Sequence, residues 1–178
     1  MLVSARVAVA VWRKCDKDLG PVRAPANDSA SAAEPSEGPE SEGYARRMLV
    51  FLVRHAHSDP GDPDELRPLS PRGREEALAL AERLAAHATP PRLVLSGPLL
   101  RARQTAESIA QATAAELRVD DRLSPGTTPD DLQKVLEDAD GPVAAVCHQP
   151  DCSEIALALT GQDPGFSPGG VAEIKLSP

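Results

Sequence analysis

Apolar and polar positions divide the chain at residue 48. Beyond it, MLVFLV (48–53) is a short unbroken apolar run, the pattern of a strand buried on both faces. A stretch rich in Pro and Asp, 59–70, reads as a loop. Ser70 followed by Pro71 reads as a helix cap with proline in the first helical position. Ala77, Leu80, Ala81 and Leu84 then recur at spacings of three and four, predicting a helix over 71–87. RLVLS (92–96) predicts a strand, and Pro98 opens a helix that runs to 114. A short strand at 116–120 and a helix over 129–138, opening on Thr128-Pro129, come next. PVAAVC (142–147) is another buried strand, and the helix after it runs from Asp151 to Leu159 and stops at Gly161. VAEIKL (171–176) alternates as a half-exposed edge strand does, behind turn residues Gly169 and Gly170. Strands alternating with helices predict a three-layer α/β/α domain with a mainly parallel sheet.

Residues 1–47 follow a different rule. Within them, 24–43 hold no aliphatic side chain larger than Ala, so burial has nothing with which to offset ordering entropy, and the segment reads as disordered. Residues 1–12 (MLVSARVAVAVW) are apolar enough to suggest a signal peptide. However, Arg6 interrupts the run, Arg13 and Lys14 follow it, and no convincing cleavage site appears. The chain is therefore divided into a disordered or dispensable leader, 1–47, and one domain, 48–178, with Met48 read as the start of the working chain.

Charge and cysteine content narrow the function classes. The net charge of −8 belongs entirely to the domain, because the leader holds seven basic and seven acidic residues. This balance argues against a nucleic-acid binder or a polybasic membrane-surface protein. No apolar run approaches the roughly 18 residues of a membrane helix. Cysteines at 15, 147 and 152 do not form a secreted disulfide framework, so the expected location is a reducing one, the cytoplasm. With two Phe, one Tyr and one Trp in 178 residues, the core must be packed from Leu, Val, Ile and Ala.

Two of the four histidines directly follow buried strands, His55 after MLVFLVR and His148 after PVAAVC. In an open α/β sheet, sites form beyond the carboxyl ends of the strands. Arg54 adjoins His55, and Arg101 lies in the first turns of the helix after RLVLS, so two imidazoles and two guanidiniums are expected at one sheet edge. That set suits a phosphoryl group, since arginines match phosphate oxygens with permanent planar donors and a neutral imidazole can attack phosphorus.

The runs LVRHAHSD (52–59), SGPLLRARQTAE (96–107) and VCHQPDCSEIALALTG (146–161) resemble the three signatures of the histidine phosphatase superfamily, branch 1. RPLSPRG (67–73) and FSPGGVAEIKL (166–176) are similar to its phosphohistidine phosphatase branch, the SixA type. The resemblance covers 48–178 and implies a phosphoglycerate mutase-like fold. It implies that His55 is the nucleophile and is transiently phosphorylated, while Arg54, Arg101 and His148 neutralise the equatorial oxygens. Ser96 and Arg67 are further substrate-binding candidates. It also implies no metal and no cofactor, with the arginines in the place of magnesium. Ala56 stands where the family usually has Gly. Gly61 stands where mutase-like members carry Asn, and Gly97-Pro98 replaces Ser-Pro with Ser96 one place earlier.

A general acid is the gap in this pattern. Asp120, Asp121, Asp130 and Asp131 follow the middle strand without an acid motif, and Asp130 and Asp131 read more simply as first-turn acids at a helix N-terminus. Asp59 is a fallback donor. His57 reads as a loop-surface residue that could reach substrate, and His87 as a favourable charge at a helix end. Cys147, His148 and Cys152 lack the further ligands of a metal site. Arg67 is divided between the pocket mouth and surface pairing with Asp64 or Glu65. A weak acid supply fits cleavage of a P–N bond, whose imidazole departs easily once protonated. The expected function is thus a metal-independent phosphatase acting on phosphohistidine in a phosphotransfer protein. The alternatives are a phosphomonoesterase for a small phosphorylated substrate and a non-catalytic phosphate-binding module. No nucleic-acid or membrane partner is expected, and the sequence leaves the oligomeric state open.

Overall fold

Alternate residues of the first long strand face opposite sides of one sheet, and that determines the layers. In the computed structural model, which describes residues 10–12 and 48–176, the elements run β1 (Ala10–Trp12), β2 (Met48–Arg54), α1 (Pro71–Ala85), β3 (Leu93–Ser96), α2 (Leu100–Thr113), β4 (Glu116–Val119), α3 (Pro129–Leu136), β5 (Val143–Cys147), α4 (Asp151–Thr160) and β6 (Val171–Leu176). Val50 and Leu52 pack with Leu132, Val135, Leu136 and Ile155 of α3 and α4. Phe51 and Val53 pack on the other face with Leu80, Leu84, Ala102, Ala106 and Ile109 of α1 and α2. Each large aliphatic side chain so buried contributes about 1.5–3 kcal/mol, which compensates for the scarcity of aromatics.

The sheet has the strand order β1-β6-β2-β5-β3-β4. Strands β2, β5, β3 and β4 are parallel, while β6 runs antiparallel to both β2 and β1. The chain leaves β2 towards α1 on one face and leaves the adjacent β5 towards α4 on the other. The two exits therefore diverge, opening a crevice at the carboxyl ends of β2 and β5.

The expected three-layer domain is what the chain forms, with local differences. Helix α1 ends at Ala85, and His87 lies beyond its cap, edge-on to Phe51 at 5.0 Å and 3.5 Å from the Glu173 carboxylate. Strand β6 is not an edge: residues 10–12 pair with it on the side away from β2. Glu173, which alternation places towards solvent, is buried beside His87 and Lys175. The rest of the segment read as a leader, including the disordered stretch expected at 24–43, lies outside the described residues. No helix among the described residues is long and apolar enough to cross a membrane.

Candidate active site

His55 begins where β2 stops. Its amide donates to the Cys147 carbonyl at 3.1 Å and its carbonyl accepts from Gly169 at 3.2 Å, so strand β5 and the segment before β6 hold it from both sides. The ring's Nδ1 lies 2.8 Å from the Ala56 carbonyl. A carbonyl only accepts, so Nδ1 carries the proton and the lone pair sits on Nε2. Burial first, then the charges of Arg101, Arg54 and Arg67, pull the His55 pKa down to about 4, against the support of the Ala56 bond. The imidazole is therefore neutral near physiological pH, as a nucleophile at phosphorus requires.

His148, one residue past β5, packs its ring 5.2 Å from that of His55. It is buried, and neither ring nitrogen has a hydrogen-bond partner. Among the described residues no protein group competes for these nitrogens, so either is available to a bound group. Burial, with His55 and Arg101 adding to it, lowers its pKa to about 3. A neutral His148 offers one N–H to an incoming oxygen.

The guanidiniums come from separate elements. Arg54, the last residue of β2, is tied through Nη1 to the Phe166 carbonyl at 2.7 Å, and its buried Nε has no partner. Arg101, in the first turn of α2, is buried and donates to the Asp64 carbonyl at 2.8 Å and to its carboxylate at 3.0 Å. Arg67 serves both roles weighed for it. It lines the cavity and also pairs with Asp64 at 2.7 Å while holding the Asp59 carbonyl and the Ser58 hydroxyl. Together Arg54, His55, Arg67 and Arg101 share an open cavity of about 230 Å³ with His57, Ser58 and Pro168.

Two placements differ from expectation. Ser96 is fully buried in β3 and donates its hydroxyl to the Gly97 carbonyl, so it does not line this cavity. Gly97 explains the departure from Ser-Pro, because a methyl group there would overlap the Leu123 carbonyl. His57 is half-buried on the cavity wall rather than on the loop surface, with Nδ1 2.8 Å from Ser70 Oγ.

The acids settle differently from the sequence list. Asp120 is engaged with Arg122 through both carboxylate oxygens, and Asp131 closes the capping box of α3. Asp121 and Asp130 are exposed, and Asp59 contributes its carbonyl to Arg67. The carboxylate that does reach the arginines is Asp64, in a single 3-10 turn over Asp64–Leu66. Arg67 first, then Arg101, holds it below the usual carboxylate range, so it stays ionised. Its spacing three before Arg67 was the available signal, and that spacing alone says nothing of Arg101.

Among the described residues, no three His, Cys, Asp or Glu side chains gather as metal ligands. Cys147 and Cys152 are both buried, and burial pushes the Cys152 thiol up, away from the thiolate a metal would need.

Comparison with known proteins bears on the family and the fold. Residues 50–125 match the family model of the histidine phosphatase superfamily, branch 1. An uncharacterised protein of Picosynechococcus sp. is 31% identical over 146 residues, covering 75% of this chain and 84% of that one. The structure of the protein histidine phosphatase SixA complexed with tungstate superposes with a TM-score of 0.64 at 26% identity, covering 72% of this chain and 88% of that chain. A mycobacterial glucosyl-3-phosphoglycerate phosphatase shares the fold at a TM-score of 0.51 and 20% identity, covering 67% of this chain and 82% of its own. With its motifs, its sheet and its crevice of imidazoles and guanidiniums in agreement, the chain belongs to the histidine phosphatase superfamily, branch 1, as a hydrolase similar to the SixA phosphatases.

Proposed function

We propose that this phosphatase removes the phosphoryl group from phosphohistidine in a phosphotransfer protein, by way of a phosphorylated His55 and without a metal ion. Nε2 of His55 attacks phosphorus, and Arg54, Arg101 and His148 take the equatorial oxygens as charge moves onto them. Arg67 reaches the same cavity from the loop. The leaving imidazole carries the bond's electron pair away, and water then attacks phospho-His55. Because Nδ1 keeps its proton against the Ala56 carbonyl, His55 itself departs as a neutral imidazole. The guanidiniums meet the electrostatic demand that a divalent cation meets in other phosphoryl-transfer sites.

The observation that carries the choice of substrate is the state of Asp64. The Asp64 carboxylate, bound to two of the cavity's arginines, is held ionised by them, so it has no proton to give an alkoxide leaving group. An imidazole, which leaves without an oxyanion, suits this site better than an alkyl ester. The cytoplasm, where phosphotransfer proteins work, fits the buried free thiols. A small phosphomonoester is the second reading, favoured by a cavity of about 230 Å³ that would take one.

The test is phosphate release from a phosphohistidine-bearing carrier protein in excess EDTA, by the wild type and His55→Ala, with a phosphomonoester panel alongside. Release by the wild type, at least about 10³-fold faster than by His55→Ala, is expected. Turnover of the panel with the carrier untouched would move the substrate to small molecules. Equal rates from His55→Ala would remove the nucleophile.

A further inference from the structure

His57 stands on the cavity wall with His55 and Arg101, and its surroundings fix it there. Its amide donates to Glu76 Oε2 at 3.0 Å, and its carbonyl accepts from Ser70 at 3.1 Å. The carbonyl also abuts Gly73, where any side chain would overlap it. On the ring, Nδ1 lies 2.8 Å from Ser70 Oγ, which is itself bonded by the Gly73 amide at 3.0 Å. Among the described residues Nε2 has no hydrogen-bond partner. The ring is thus anchored at one nitrogen and open at the other.

The other titratable groups on or beside that wall are already committed. His55 must present a lone pair at Nε2, its proton being fixed on Nδ1 by Ala56. Asp64 is ionised between Arg67 and Arg101, and arginines do not release protons near neutrality. An imidazole can carry a proton and release it there. We propose that His57 is a catalytic residue, the proton donor to the departing imidazole of the substrate. The inference rests on the phosphohistidine reading given above.

Symmetry of the reaction makes the demand explicit. Phosphoryl transfer here passes between two imidazoles, and each leaves well only with a proton on the nitrogen not bonded to phosphorus. His55 has that proton permanently, at Nδ1. The substrate ring must receive one. Imidazolium His57 gives its Nε2 proton to the far nitrogen of the substrate ring. The bond from phosphorus to His55 Nε2 forms, the old P–N bond breaks, and its electron pair stays with a neutral imidazole. Neutral His57 then takes a proton from the water that attacks phospho-His55, which restores it for the next cycle. Behind His57 lies the Glu76 carboxylate, which accepts from the His57 amide and also binds Arg72 at 2.8 Å. Across the cavity stand Arg54, Arg67, Arg101 and His55, with Asp64 paired to Arg101 and Asp59 next but one in sequence.

The experiment compares His57→Gln with wild type on a phosphohistidine-bearing carrier protein and on p-nitrophenyl phosphate, whose leaving group needs no proton. At about pH 7.5 the ratio of carrier rate to p-nitrophenyl phosphate rate is expected to fall about 100-fold in the variant. At about pH 5.5, where the substrate imidazole binds its own proton, that deficit shrinks below about tenfold. A purely structural role for His57 would not produce this rescue by acid. An unchanged ratio, or an equal deficit at both pH values, overturns the proposal. Inhibition of p-nitrophenyl phosphate turnover by inorganic phosphate checks that the pocket is intact, and His57→Asn replaces a variant that fails to fold. A wild type that ignores the carrier removes the phosphohistidine reading and this task with it. A wild type that uses the carrier, with the ratio unmoved in the variant, removes the task alone.

Discussion

Asp64 places a negative charge where a phosphate-binding pocket would be expected to have none, and its contacts give the reason. Through its carbonyl and carboxylate it holds Arg101 at two points, and the same carboxylate holds Arg67. The side chain therefore orients two long, rotamer-rich cations at the cost of weakening their joint attraction for anions. Asp64→Asn keeps the shape and removes the charge. Competitive inhibition by inorganic phosphate is expected to tighten roughly three- to tenfold at low ionic strength, the gain shrinking as salt screens the site. Weaker phosphate binding in the variant would mean that alignment of Arg101 outweighs the repulsion. Arg101 and Arg54 were visible from their places beside strand ends. The pairing of Asp64 with Arg101 was not, because a loop contact 37 residues distant in sequence leaves no periodic trace.

At the level of elements, backbone contacts explain why the motif residues sit where they do. Thr105 of α2 accepts from the Ala56 amide at 3.1 Å and donates to the Arg101 carbonyl at 2.8 Å, so one hydroxyl couples the His55 loop to the helix that carries Arg101. The cap of α1 is the one the sequence predicts, Ser70 accepting from Gly73 at 3.0 Å, and it lies directly against His57. Helix α2 ends less comfortably, on Ala114 with φ of 53°, a left-handed conformation that glycine adopts without strain. Ala114→Gly is expected to stabilise the domain by about 0.5–1 kcal/mol, since relief of that strain exceeds the extra entropy of glycine in the unfolded chain. Urea denaturation measures it, and an unchanged or lower midpoint would show the strain to be relaxed by its neighbours.

For the molecule as a whole, holding two imidazoles neutral inside the crevice ties stability to pH. In the unfolded chain each takes a proton near pH 6.5, whereas in the fold the pKa values stand at about 4 for His55 and about 3 for His148. Between these limits the unfolded chain binds more protons, so stability falls as pH drops through the window and is greatest above it. Calorimetry should find Tm falling from pH 7 towards pH 4.5, with a shallower fall when both residues are changed to Gln. Equal slopes would place the acid sensitivity elsewhere, for instance in the ion pairs of Asp64 and Asp120.

Features that depend on neighbours along the chain were legible before any fold was known. Apolar runs made MLVFLV and PVAAVC buried strands, spacings of three and four made the inward stripe of α1, and Ser70-Pro71 marked its start. The residues following the strands marked one sheet edge as the site, and the signatures around His55, Arg101 and His148 named the family. Features that depend on residues far apart came only with the fold. Alternation in VAEIKL could not tell an edge strand from one flanked on both sides, because pairing with residues 10–12 is a hydrogen-bonding matter between distant backbones. A hydroxyl beside the arginine helix could face the cavity or the Gly97 carbonyl, and in the fold Ser96 is buried and donates to Gly97. The same fold brought His57 onto the cavity wall and Asp64 between two guanidiniums, since converging loops are positioned by the sheet beneath them and not by their own sequence.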